Sequence, residues 1–224
     1  MDLSAIYPVL YMHTSFAWAS GKTLYRYNLQ WCRIANHQAN RAMSDAPSHL
    51  FSPSLISASV HADLPDGFAI RPLATDDYAK GFYECLGALT WVGVGDRPRP
   101  TEPEFRRRFD EMAAAAGTYF FAVVEHRGRV VGTGCLVVER KFIHNHGKCG
   151  HVEEIVVAEE HRGKGLGLKM MQALESVAVA VGCYKSILNC GPRNEPFYER
   201  CGYHNSGIEM SRYYEEERDS YHRG

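Results

Sequence analysis

Arg162-Gly163-Lys164-Gly165-Leu166-Gly167 is the stretch on which the reading of the chain turns. It follows a β-rich run that ends at Val157. It leads into Leu166, Met170, Leu174, Val177 and Val181, whose steps of four, four, three and four predict an amphipathic helix. Glycines at a strand-to-helix junction let the main chain approach a ligand, and the unpaired N–H groups of the helix start attract anions. A pyrophosphate is the natural guest, with Arg162 and Lys164 adding charge. Two familiar phosphate loops are excluded. No Ser or Thr follows a Gly-Lys pair here, and Met170 stands where the third glycine of a GxGxxG would be.

Working outward, the chain has 224 residues, 45% hydrophobic and 23% charged, enough for one domain with an appendage. Lys plus Arg is 25 against 26 for Asp plus Glu, a formal charge of −1. That balance argues against a protein that lives on nucleic-acid phosphates. No run of about 18 apolar residues exists, which argues against a membrane partner. Seven cysteines, odd in number and never spaced CxxC, read as reduced thiols of a cytoplasmic protein.

Residues 1–63 show no sustained period, and residues 44–59 are rich in Ser, Pro and Ala. Asp2, Tyr7, Tyr11 and His13 spoil a signal peptide, so the segment is expected to be a disordered, poorly ordered extension. Residues 68–71 alternate as a short strand. Thr75 with Asp76 and Asp77 predicts a helix start running to about residue 86. Thr101 and Glu104 form a capping box that opens a helix to about residue 115. Residues 119–125 and 130–139 flank a polar, Gly-containing turn and predict a hairpin. Strands over 151–157 and 185–190, a short helix over 196–200 and a last strand over 203–212 complete the pattern. The order β-α-α-β-β-β-α-β-α-β predicts an α/β fold with a mixed sheet.

Arg-x-x-Gly-x-Gly between a strand and an amphipathic helix resembles the acetyl-CoA loop of the GNAT acetyltransferase superfamily. Downstream, Asn194-Glu195-Pro196-Phe197-Tyr198 followed by Cys201-Gly202-Tyr203 is similar to a second segment of that superfamily. The resemblance implies the GNAT fold, a mixed twisted β-sheet flanked by helices. Leu64-Pro65-Asp66-Gly67-Phe68, Leu89-Thr90-Trp91-Val92-Gly93, Glu139-Arg140-Lys141-Phe142-Ile143-His144 and Gly150-His151-Val152-Glu153-Glu154-Ile155 resemble the glucosamine 6-phosphate N-acetyltransferase family more narrowly. Gly182-Cys183-Tyr184-Lys185 belongs to the same likeness, which covers residues 64–212. Residues 64–216 are thus expected to form the acetyltransferase domain, with 217–224 a polar tail.

Residue by residue, the resemblance implies a sugar-phosphate site lined by Thr90, Lys141, Phe142, Ile143, His144, Glu153, Glu154, Tyr184 and Lys185. Ile155, Val156 and Val157 would pair by main chain with the pantetheine arm. Arg162, Gly163, Lys164, Gly165, Leu166, Gly167 and Leu168 would hold the pyrophosphate of acetyl-CoA, with Asn194 also on the cofactor. Tyr198 would face the sulfur. Glu153 or Glu154 would accept the amine proton. A substrate with a phosphate and an amine independently wants cations at one end and carboxylates at the other. The resemblance further implies a cytoplasmic homodimer with the sugar site at the interface.

Two positions depart from the family. Asn189 stands where the family has a carboxylate, and Asn cannot take a proton. Arg212 is a candidate for the sugar phosphate, although one family arginine aligns with Tyr213. His144, His146, Cys149 and His151 could suggest a metal site, but they fill a strand-loop-strand connection and the family uses no metal. Two rival readings are an acetyltransferase of another small amine and a non-catalytic acyl-CoA-binding regulator.

Overall fold

Residues 120–124 alternate between two destinations, and that alternation defines the layers. Phe120, Ala122 and Val124 enter one buried cluster, and Phe121 and Val123 enter another. A strand covered on both faces requires this. The computed structural model describes residues 48–93, 98–212 and 214. Five strands, β1 (Phe68–Pro72), β2 (Tyr119–His126), β3 (Arg129–Arg140), β4 (Lys148–Val157) and β5 (Cys183–Ile187), lie side by side in chain order. β1 to β4 are antiparallel neighbours and β4–β5 is parallel. The expected hairpin is β2–β3, closed by Arg127 and Gly128 with φ of 50° and 79°, the left-handed pair a two-residue turn needs.

Among the described residues the helices α1 (Ala58–Ala62), α2 (Phe82–Leu86), α3 (Glu102–Ala114), α4 (Leu166–Ala180) and α5 (Glu195–Arg200) accompany the sheet, besides short turns at Pro53–Leu55, Ile143–His146 and Glu159–His161. α4 is the crossover that a parallel β4–β5 joint requires. Its Leu166, Met170, Leu174 and Val177, each no more than 1% exposed, pack on one face of the sheet. Phe82, Leu86, Phe105 and Phe109 of α2 and α3 cover the other. The capping box of α3 forms: the Thr101 N–H and hydroxyl both donate to Glu104 Oε2 at 2.7 Å.

Three expectations are corrected. First, the extension does not run unstructured to residue 63. Residues 1–47 lie outside the described residues, but residues 48–63 fold onto α4. Ile56 and Val60 are 4% and 3% exposed in its cluster, and the Ser57 N–H donates to Ser176 Oγ at 3.1 Å. The Ser- and Pro-rich composition of the segment outweighs the four-residue steps from Phe51 to Leu55 and from Ile56 to Val60 in a sequence reading. Second, Thr75 does not open a helix. Residues 75–81 are turns, and α2 begins only after Gly81 with φ 88°. Asp77 is fully buried and accepts the Ala74 N–H and the Arg71 guanidinium. An ion pair outcompetes the helix dipole for that carboxylate. Third, residues 203–212 form no strand. Tyr203 still packs against the α4 cluster, and the chain leaves the body beyond it, with Ile208 and Met210 both 94% exposed. The tail over 217–224 lies outside the described residues.

Candidate active site

The site is built on an irregularity in β4. Cys135 pairs with Glu153 and Thr133 with Val156, so Glu154 and Ile155 together oppose Gly134. This is a β-bulge, and it reverses the alternation of faces. Val152 belongs to the α4 cluster, whereas Val156, four residues on, belongs to the α2–α3 cluster. Glu154 carries the bend with φ 54°, and the buried Thr133 hydroxyl donates to its carbonyl at 2.7 Å. Gly134 is required opposite: a Cβ there would come within 2.7 Å of Ile155 Cδ1.

Register then assembles a charged strip on the α2–α3 side. Glu139 and Cys149 are cross-strand partners, as are Cys149 and Lys185, so all three share a face. His151 and Glu153 follow at steps of two along β4, and Lys141, one residue past β3, joins them through Glu139. Glu139 Oε2 accepts Lys141 Nζ at 2.6 Å and lies 3.1 Å from His151 Nε2. At the bulge the Glu154 carboxyl is pushed above the ordinary carboxylate range, chiefly by burial and next by Glu153, with Arg108 of α3 opposing. Glu154 is nonetheless exposed to solvent. The two statements agree for a side chain sunk in an open concavity, where water touches it but protein fills most directions.

β4 pairs with β5 only from Lys148 to His151. From Val152 to Val157 its outer edge has no strand partner among the described residues. Beyond this edge lies the glycine loop. Gly163 and Gly165 have φ of 79° and 75°, and a Cβ at either would meet nothing within 4 Å. The N-terminus of the 15-residue α4 has no side-chain cap, so its first N–H groups and its positive dipole end are of the kind that can receive an anion. Arg162 and Lys164 brace the turn: Nε of Arg162 donates to the Val157 carbonyl at 3.0 Å, and Nζ of Lys164 to that of Glu160 at 2.8 Å. The loop therefore fits a pyrophosphate, with main-chain donors in front and cations at its sides.

α5 closes the far side. Phe197 lies 3.2 Å from where a Cβ on Gly167 would stand, which docks α5 on the start of α4. Burial pushes the Tyr198 hydroxyl up to about 12; Cys190, Cys201, Tyr203 and Glu153 add smaller effects. It is thus held protonated. Tyr198 and Asn189 line a cavity of about 660 Å³ between β5, α5 and the departing C-terminal segment. That cavity lies beside the bulge rather than over it; the glycine loop and Glu154 do not line it.

Not every expected residue joins this arrangement. Leu166 is 1% exposed, so only its main chain can meet a cofactor, whereas Leu168 is exposed. Phe142 and Ile143 are 93% and 65% exposed on a turn whose His144, Asn145 and His146 are left-handed. The ring of His144 tilts over Tyr184 at 4.7 Å. Thr90 lies on the segment leaving α2. Asn189 lies two residues past β5, which is shorter than the expected 185–190. Asn194 holds α5 through its carbonyl, which accepts the Phe197 and Tyr198 N–H groups. Arg212 stands 5.5 Å over the Tyr214 ring in the unpaired segment; Tyr213 lies outside the described residues. Glu139, Thr133 and Arg108 join the site without a place among the expected site residues, and His151, named in the sequence only for a metal, joins it as well. The alternation Glu139-x-Lys141 and Cys149-x-His151-x-Glu153 carries the signal for two of them.

Comparison with known proteins agrees with this geometry. The "Acetyltransferase (GNAT) family" matches residues 74–203. Glucosamine 6-phosphate N-acetyltransferase 1 of Dictyostelium discoideum is 42% identical over 150 residues, 66% of this chain and 92% of the relative. The Arabidopsis thaliana glucosamine 6-phosphate N-acetyltransferase is 40% identical over 154 residues, 68% of this chain and 100% of the relative. The crystal structure of the Arabidopsis thaliana enzyme superposes with a TM-score of 0.62 at 41% identity, over 66% of this chain and 99% of that one. An aminoglycoside acetyltransferase at 13% identity and a TM-score of 0.55 shares the fold alone.

Proposed function

Because the chain belongs to the GNAT acetyltransferase family, and within it to the glucosamine 6-phosphate N-acetyltransferases, we propose that it acetylates the amine of D-glucosamine 6-phosphate. Acetyl-CoA supplies the acetyl thioester. The products are N-acetyl-D-glucosamine 6-phosphate and CoA, the former a precursor of UDP-N-acetylglucosamine. The observation that carries this reading is the charged strip, with Lys141 and Lys185 near one end, Glu153 and Glu154 at the other, and the open edge of β4 beside the carboxylates.

The lysines hold the phosphate as point charges, while a carboxylate meets the ammonium. Glu154 is the better base of the pair: its raised affinity for a proton brings it closer to that of the amine it relieves. Glu153 orients the amine or relays through water. The neutral nitrogen attacks the thioester carbonyl; the N–C bond forms as the C–S bond breaks. A main-chain N–H on the unpaired edge around Ile155, Val156 and Val157 receives the oxyanion. The Tyr198 hydroxyl, protonated throughout the neutral range, donates to the departing thiolate and regains its proton from water. Asn189 lines the cavity beside Tyr198 as a hydrogen-bonding group, and the base is elsewhere. Asn189→Asp therefore leaves the acidic limb of kcat/KM unchanged; a large gain with a new ionisation would make Asn189 a lesion.

The exposed segment over 204–212 and its bare Ile208 and Met210 support a homodimer in which this segment, Arg212 included, meets a second copy near the sugar site. The balanced charge and the reduced-thiol reading of the cysteines support a cytoplasmic chain without a nucleic-acid partner; among the described residues no helix is long and apolar enough to span a bilayer. The deciding experiment is the release of free CoA thiol from acetyl-CoA. Glucosamine 6-phosphate is set against glucosamine and a panel of peptides. Turnover confined to the phosphorylated sugar supports the reading; preference for another amine, or CoA binding without turnover, defeats it.

A further inference from the structure

We propose that Glu139, Cys149 and His151 form a binding site for a borderline-soft divalent cation, Zn²⁺ by its donor chemistry, placed so that the ion blocks the sugar-phosphate end of the charged strip. One carboxylate oxygen, one imidazole nitrogen and the Cys149 sulfur all lie within 4.8 Å of one another. Four-coordinate zinc holds such atoms roughly 3.3–3.8 Å apart at bond lengths near 2.0–2.3 Å, so small side-chain rotations close the set. The backbone is already arranged: Glu139 and Cys149 are cross-strand partners, and His151 is two residues along the same face. Three protein ligands with water in the fourth position is a common zinc arrangement, and a thiolate–imidazole pair selects against Mg²⁺ and Ca²⁺.

The site differs from the histidine group suggested by the sequence. His144 and His146 belong to the left-handed turn and lie outside this cluster, while Glu139 is recruited from the neighbouring strand. Its cost is Lys141, whose Nζ is 2.6 Å from Glu139 Oε2. A bound ion must use the other carboxylate oxygen or evict the ammonium, and it repels both Lys141 and Lys185. The cation and the sugar phosphate therefore make opposite demands on the same lysine. This blocking action rests on the sugar-phosphate reading above; the binding of the ion does not.

The test titrates the full-length protein with Co²⁺, then with Zn²⁺, and follows the thiolate-to-cobalt absorption band. One equivalent of Co²⁺ should develop the band and Zn²⁺ should abolish it. Cys149→Ser should remove it, and His151→Gln should weaken binding at least tenfold. Cys190→Ser, at an exposed cysteine, should leave it intact. Circular dichroism of each variant separates lost ligation from lost folding. A band that survives Cys149→Ser, follows Cys190, or is indifferent to His151→Gln overturns the site. In steady-state assays Zn²⁺ should raise the KM for glucosamine 6-phosphate at least tenfold with the KM for acetyl-CoA unchanged, and Cys149→Ser should escape this. An unchanged or lowered sugar KM overturns the blocking. A protein with the expected cobalt band but no turnover of glucosamine 6-phosphate would instead defeat the functional proposal.

Discussion

The two halves of β4 share a strand and do opposite things. From Lys148 to His151 the strand has β3 on one side and β5 on the other, and Cys149 and His151 share a face with the charged Glu139 and Lys185 of those neighbours. From Val152 to Val157 it keeps β3 alone, bends at Glu154, and leaves a main-chain edge free. The closed half can present side chains but spare no backbone donors. The open half can do both, because the bulge points adjacent residues toward one concavity and the lost partner frees N–H groups. A catalyst that must hold one substrate by charge and another by main chain can divide the work along a single strand. The closed half should govern substrate affinity and the open half the chemical step.

The largest break in that division is Glu154→Gln. kcat/KM should fall by roughly 10²–10⁴, the range of a lost general base, with the sugar KM little changed. Stability should move the other way. The folded protein binds the Glu154 proton more tightly than the unfolded chain does, so this group's stabilising contribution is present below the ordinary carboxylate range. It is lost as pH rises through the raised value. The Gln variant should thus melt at higher temperature than the parent at pH 7, and the gap should close toward pH 4. A lower melting temperature at pH 7 would mean that Glu154 is a structural partner.

Tyr198→Phe comes next, with kcat falling about tenfold or more, ~1.4 kcal/mol of transition-state binding. Neither KM should follow, because the hydroxyl meets charge only as the thiolate develops. Near-normal kcat would reduce Tyr198 to packing beside Phe197, whose ring it meets edge-on at 5.0 Å. In the closed half, Lys185→Ala should raise the sugar KM about tenfold, again ~1.4 kcal/mol, and leave kcat nearly intact. A fall in kcat instead would erase the division between the halves. The mildest change is Thr133→Val, which removes the hydroxyl under the bulge. It should cost about 1 kcal/mol of stability and a few-fold in kcat, read by thermal melting and steady-state rates, with the sugar KM unmoved.

Much of this was legible in the chain itself. The glycine loop, the step of α4, the capping box of Thr101 and the hairpin at Arg127-Gly128 are local, so the sequence that specifies them lies within a few residues. The failures share a cause. Asp77 looked like a helix-start acid because nothing nearby names Arg71 as its partner. Residues 48–63 read as loose because Ser and Pro dominate their composition, although Ile56 and Val60 stand one helical step apart and each finds α4. The strand expected over 203–212 has the right residues but no neighbour within one described chain to pair with, and a strand exists only through its partner.

The sequence by itself determined the elements whose stabilising contacts are near neighbours: where helices begin, which face of α4 is apolar, and where an anion loop stands. Tertiary structure alone decided that Glu139, Lys141, Cys149, His151 and Lys185 share a face, and that Glu153 and Glu154 both reach the concavity. Cross-strand register and a bulge are relations between segments, settled by packing across the sheet, and a one-residue slip in either would turn each of these side chains to the other side.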